Sequence, residues 1–514
     1  MHCGGSASQE RSPTARGTAT ATANLPPPAV TAETSAGDIA QPAVVDPLDA
    51  TTVPAPAPEP SVYSVGQTTW IRSKPEIKEG PYLGYIRTGY PVPLRSEDLV
   101  QGEGCPRGYY QVAPRGYVCS DRTVTESPRA TFLAAALATR PSDATLPYGY
   151  GLSNGSPMYN RIPTEAEQER YERWLGERGT FKSLPKTLRS HEEMAEARSI
   201  EKTHPVPEFL MDGGSPKRAP YDLVEQTIPL GAMLSYSRVF ESGGRTFLLS
   251  TDHTIVPADR VRPFKMSTFR GTALGKDAAQ LPLAWMRSTA KPKHVRTAEA
   301  FEATGDTWAV RTFVGLTGKS VSLGKKTFLE THEMKDGANL FIDAADATVA
   351  EAETKLASGV EEGQKWFMIR LSKGTLVAYE GMTPTYATLI SPGKGGIPTK
   401  GNDPVEHSTT PLGSYSITFK DRYATMSPET GKNRSFWIQD VPHTMYFDAP
   451  FAMHAAFWHE RFGEYVSAGC VNLSPLDAER LFEWTDPPLP KDWQGVTGPG
   501  ASDNGPTTIV VIRR

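Results

Sequence analysis

Short runs of alternating apolar and polar residues, split by Gly, Pro and charged turns, fill most of the chain beyond residue 60. VYSV, TTWI, YLGYI, YYQV and GYVC follow one another between 61 and 125, a rhythm that predicts a small β-barrel. From 126 to 215 the pattern turns helical. Thr164 and Glu167 make a capping-box pair just after Pro163, ahead of AEQERYERWLGER, and SHEEMAEARSIEK (190–202) reads as a second, mostly charged helix. Strand signals return in TIPLGAMLSYSRVF and RTFLLSTDHTIVPADRVRPF, then in TWAVRTFVGL, KTFLETHE and NLFIDAAD. Residues 216–360 are therefore expected to hold one or two small β-rich modules. From Lys365 to the end strands dominate (WFMIRL, TLVAYEG, TYATLIS, LGSYSITF, SFWIQD, TMYFD, TTIVVIRR). One helix is expected there, with Ser474 as N-cap, Pro475 at the first position and Asp477 favouring the N-terminal dipole. The pattern predicts a mostly β, multi-domain protein whose C-terminal domain, 365–514, is β-rich with one short helix.

Composition changes the picture at the N-terminus. Residues 1–60 contain ten prolines and almost no large apolar residues, too little burial to offset chain entropy. This stretch is expected to be a disordered tether, semi-rigid where Pro26, Pro27 and Pro28 follow one another. At 514 residues the chain exceeds what one core usually supports. A formal net charge of -4 without a long basic run argues against nucleic acid as the main partner. No apolar stretch approaches the ~20 residues that span a bilayer.

The chain has four cysteines. Cys105 and Cys119 flank a hairpin-like segment, and a bridge closing that loop adds roughly 3 kcal/mol by restricting the unfolded chain. It persists only in an oxidising compartment; two reduced, half-buried thiols are the alternative. Cys3, in MHCGGSASQ ahead of a polar tail, fits a lipidated N-terminal cysteine if the true start lies upstream with an apolar leader. An incidental cysteine in a tail fits equally.

The chemistry concentrates in FAMHAAFWHERFGEYVSAGCVNLSP (451–475). A thiol needs a base or a depressed pKa to attack a carbonyl at neutral pH, and His454 supplies one if its strand returns beside the Cys470 loop. Gly469 lets backbone amides crowd the reacting atom, as an oxyanion hole requires. On residue types alone, Cys470 still reads first as a buried structural cysteine.

Residues 365–514 resemble a YkuD-type L,D-transpeptidase catalytic domain through His454, Ser467, Gly469, Cys470 and Asn472. Neighbouring blocks KWFMIRLSKGTLVAYEG, TPLGSYSI, QDVPHTMYF, WHERFG and NLSPLDAERLFEW carry the resemblance further. The 61–125 segment resembles bacterial Src-homology-3-like modules of wall enzymes. The catalytic resemblance implies a peptidoglycan transpeptidase in which Cys470 attacks the stem-peptide bond to D-Ala, leaving a thioester that an amine then resolves. His454 would be the base, with Ser467 in the nucleophile turn and the Gly469 and Cys470 amides at the oxyanion. Asn472, His459, Trp458 and Tyr446 are candidates to contact substrate. His459 fits a half-exposed packing histidine as well, and Tyr446, like Trp437, fits a core or cleft-wall aromatic better than a catalyst. No metal or organic cofactor is implied, carbapenem-type β-lactams are the expected covalent inhibitors, and the periplasm or cell envelope is the expected location. Two positions depart from the family pattern: Ala468 replaces the usual His, and Ala455 stands where Gly or Ser is common.

Other readings remain open at this level. His443, His454, His459 and Cys470 are all possible zinc ligands. Ser183-x-x-Lys186, Ser391-x-x-Lys394 and Ser502-Asp503-Asn504 echo serine-type penicillin-binding enzymes, but no K-T-G follows. A hydrolase using water as acceptor shares the donor chemistry, and a non-catalytic wall-binding protein would use only the β modules.

Overall fold

The computed structural model describes residues 60–77, 82–211, 220–427, 436–499 and 505–514. The tether, Cys3 and the Ser502-Asp503-Asn504 motif lie outside them. The fold is mostly β.

The run KWFMIR forms the strand Lys365–Arg370, antiparallel to Thr375–Glu380 and parallel to Ile509–Arg513. Its unbroken apolar character follows from burial on both faces. Phe367 and Ile369 pack toward Leu481 and Phe482 of the helix Pro475–Trp484. Trp366 and Met368 pack on the other side with Leu283 and Trp285. Thr383–Leu389 and Gly413–Ser416 complete this sheet with the short Thr272–Ala273. The helix begins where Ser474 accepts the Asp477 N–H at 3.1 Å, with Pro475 in its first turn. Its apolar face, Ala478, Leu481 and Phe482, is buried.

A second group of strands lies beyond that helix: Phe419–Met426, Ile438–Asp448, Phe451–Ala455 and Val471–Leu473. Phe451–Ala455 runs antiparallel to Ile438–Asp448 and parallel to Val471–Leu473. Parallel neighbours need a crossover, and residues 456–470 provide it.

The N-terminal strands wrap a core of Val62, Ile71, Ile86, Val92, Val112 and Val118. That core also contains Trp493 and Val496, because Gly495–Thr497 pairs with both Tyr82–Arg87 and Phe419–Met426. The module is thus built into the C-terminal domain. Cys105 and Cys119 are joined by a disulfide.

Two segments depart from the helical reading of 126–215. Gly149–Tyr159 is an eleven-residue strand buried throughout, paired with Val224–Ser242. Its sequence, GYGLSNGSPMY, carries little β-branched character; small residues serve close packing instead, since a Cβ at Gly151 would lie 2.2 Å from Val261. SHEEMAEARSIEK contributes no α-helix: a 3₁₀ turn, Lys186–His191, enters it and bends and turns follow. Tertiary pairs outweigh propensity there, with Glu192 on Arg262 at 2.8 Å and Glu193 on Arg461 at 3.2 Å. The capped helix Glu165–Glu172 does form, with both halves of the Thr164/Glu167 capping box in place. Strands between 283 and 350 make a separate seven-stranded sheet.

Candidate active site

The strand register brings the chemistry together. His454 pairs with Asn472 across the parallel strands, and Cys470 sits in the bend that leads directly into the second of them, Val471–Leu473. Asn472 is also bridged on its other side to Ser391, by hydrogen bonds of 2.9 Å in each direction.

The turn carrying the sulfur is clamped from within. The Ser467 hydroxyl donates to the Cys470 carbonyl at 2.5 Å and accepts the Gly469 N–H at 3.0 Å. The buried Thr410 hydroxyl donates to the Gly469 carbonyl at 2.8 Å. Gly469 has φ +130, and a Cβ there would meet Phe451 at 2.6 Å, so only glycine fits. Its N–H is committed to Ser467, which corrects the expectation that this amide faces an oxyanion.

His454 is 1% exposed. Its Nδ1 lies 3.1 Å from the Ala455 carbonyl, which can only accept, so Nδ1 carries the proton of the neutral ring. Nε2 is then the basic nitrogen. It has no hydrogen-bond partner, and His454 lines a cleft of about 720 Å³. Trp458 stacks against the imidazole at 5.8 Å and lines the same cleft, with Ser467, Ala468 and Asn472. Cys470 is fully buried and is not itself among the lining residues.

His459 does not line the cleft. It is completely buried, and desolvation pushes its pKa down to about 3, so the ring is neutral. Its Nδ1 accepts the Arg461 N–H at 3.2 Å, which places its proton on Nε2, 2.9 Å from the Asn472 side-chain amide. A donor there requires that Asn472 turn its carbonyl oxygen to the ring. His459 therefore anchors Asn472 from behind, which replaces the substrate contact expected for it. Tyr446 also stands away from the cleft, packed 6.4 Å from Phe419. His443 is not drawn in either; its Nε2 lies 3.2 Å from the Thr145 carbonyl. Among the described residues, no group of three or more His, Cys, Asp or Glu is placed to hold a metal.

The remaining walls come from farther away. Lys186, Arg189 and His191 line the cleft, as do Lys394, Arg461 and Tyr465. None was legible as a site residue, although the Ser183-x-x-Lys186 and Ser391-x-x-Lys394 motifs marked both lysines.

Residues 364–512 match the family model of the YkuD L,D-transpeptidase catalytic domain. The C-terminal domain belongs to the YkuD family. Solved L,D-transpeptidases are similar to it at low identity. One from Xylanimonas cellulosilytica is 19% identical, covering 30% of this chain and 62% of that one, with a TM-score of 0.20. The catalytic domain of the E. faecium L,D-transpeptidase is 17% identical over 30% of this chain and 100% of its own, with a TM-score of 0.21. LdtMt1 in complex with imipenem is 15% identical over 43% and 100%, with a TM-score of 0.22. This chain thus spans less than two thirds of the Xylanimonas chain's length. No curated protein matches it. Within the YkuD domain, His454, Ser467, Gly469, Cys470 and Asn472 are the residues brought to one turn and one strand pair.

Proposed function

We propose that the protein is a cell-envelope cysteine acyltransferase that acts on peptidoglycan stem peptides, with Cys470 as nucleophile and His454 as base. The observation that carries this reading is the buried, unpartnered Nε2 of His454, a cleft-lining residue on the strand paired to the one that follows Cys470. The Cys470 thiol gives its proton to His454 Nε2, and the sulfur attacks the carbonyl of the bond to D-Ala. The carbon–nitrogen bond breaks as the imidazolium returns the proton to the leaving amine. A thioester remains on Cys470. An incoming amine loses its proton to His454 and displaces the thiolate, giving a cross-link or a wall-attached protein according to the amine. Clamping of the turn by Ser467 and Thr410 supports this role, because a fixed nucleophile lowers the entropic part of the barrier.

The Cys105–Cys119 disulfide favours an oxidising compartment, so we place the protein in the periplasm or cell envelope, with Cys3 as a lipid attachment point. LdtMt1 is recorded with imipenem, and by analogy carbapenems should acylate Cys470. Mass spectrometry of muropeptides after incubation with purified protein tests the assignment. New cross-links are expected; trimmed tripeptides alone would make it a hydrolase, and unchanged muropeptides would overturn it.

A further inference from the structure

Part of the cleft wall comes from outside the YkuD domain, and it carries charge. Lys186 and Arg189 lie three residues apart on the 3₁₀ turn Lys186–His191. Residues so spaced eclipse one another in this helix, and both line the cleft. The turn is bolted down. Leu184 and Leu188 are buried in the core that holds Phe436, Trp437 and Trp458, and His191 stacks on Phe436 at 4.9 Å. Gly231 makes the room: at φ +84, a Cβ there would come within 2.9 Å of Leu188.

Lys394 joins the cleft from the YkuD side, its N–H donating to the Ser467 carbonyl at 2.8 Å. His191 feels this lysine. Desolvation first, and Lys394 second, push its pKa down to about 4, so the ring adds no charge at neutral pH. Glu193 is the only carboxylate among the described lining residues, and it faces Arg461 at 3.2 Å. No described residue pairs with Lys186, Arg189 or Lys394. Three exposed, uncompensated cations thus line a concave space beside His454, a geometry that concentrates positive potential.

We propose that Lys186, Arg189 and Lys394 bind a carboxylate of the acyl donor, so that the protein selects stem peptides with free side-chain or α-carboxylates over their amidated forms. This rests on the acyl-transfer reading, and names what the donor must carry. Cations on a fixed turn, together with Lys394 from the YkuD side, hold an anion by charge-assisted hydrogen bonds, and the 3₁₀ turn becomes a specificity element supplied by another part of the chain.

The test is calorimetric binding of a free-acid tetrapeptide stem and its amidated counterpart to the full chain carrying Cys470→Ser, which separates recognition from chemistry. The free acid should bind about tenfold tighter, and added salt should shrink the difference. The preference should collapse in the Lys186→Ala/Arg189→Ala variant and fall in Lys394→Gln, each checked for native circular dichroism. Equal affinity for the two peptides, binding of neither, or a preference that survives these substitutions would overturn the proposal. Acylation of the unsubstituted protein is followed separately by intact mass. A preserved binding preference without acylation would sink the acyl-transfer reading and leave carboxylate recognition standing.

Discussion

Asn472 and His459 meet 2.9 Å apart, both buried, and only Asn472 reaches the cleft. The histidine holds the asparagine from behind, and it does so as a neutral ring. Its folded pKa of about 3 lies below the ordinary histidine value. Between these two values the unfolded chain binds a proton that the folded chain refuses. The stability that neutral His459 contributes is therefore complete above about pH 6.5 and declines as pH falls toward 3. Replacing His459 with Gln should flatten that slope, as measured by urea unfolding at pH 4 and pH 7. An unchanged slope would show that another group causes the acid loss.

Ser467 makes two hydrogen bonds inside the turn that carries Cys470, one to the Cys470 carbonyl and one from the Gly469 N–H. Ser467→Ala removes both without adding bulk. The expected result is acylation slowed by about 10²-fold through loss of positioning, with a stability change of roughly 1–3 kcal/mol. Stopped-flow acylation against thermal unfolding separates these effects. Full activity would mean that the turn holds itself.

Arg87 of the strand Tyr82–Arg87 and Asp440 of the C-terminal domain lie 2.7 Å apart, with the carboxylate fully buried. Asp440 also accepts the hydroxyls of Ser235 and Thr251, so one carboxylate joins three parts of the chain. Arg87→Ala leaves that charge buried without its cation. A loss of about 3 kcal/mol is expected in denaturant unfolding, whereas a loss below about 1 kcal/mol would mean the hydroxyls suffice.

The Cys105–Cys119 bridge closes a loop with a sequence separation of 14. The Cys105→Ser/Cys119→Ser variant should lose about 3 kcal/mol, and reduction of the parent should reproduce it. The core of the N-terminal strands includes Trp493, so the loss should be visible in tryptophan fluorescence. Unchanged unfolding in reductant would deny the bridge a structural role.

Local rules were legible where the chain obeys them locally. Thr164 with Glu167, and Ser474 with Pro475 and Asp477, announce helices that the structure contains, because a cap is settled within four residues. KWFMIR reads as a buried strand because both its faces are covered. The strand Gly149–Tyr159 was not legible: glycine, serine and proline hide a segment whose place is set by partners such as Val261. His454 and Cys470 could be picked out by type and family pattern. That Gly469 spends its amide on Ser467, or that Lys186 reaches the cleft, depends on contacts far apart in sequence and leaves no local signature.

Acyl transfer at Cys470 is read out by the intact mass of the purified protein after exposure to a carbapenem, for the parent, Cys470→Ser and His454→Gln. One adduct is expected on the parent, formed much more slowly on His454→Gln, and none on Cys470→Ser. An adduct that survives loss of the sulfur, or a parent that stays unmodified while its cleft is intact, would contradict it.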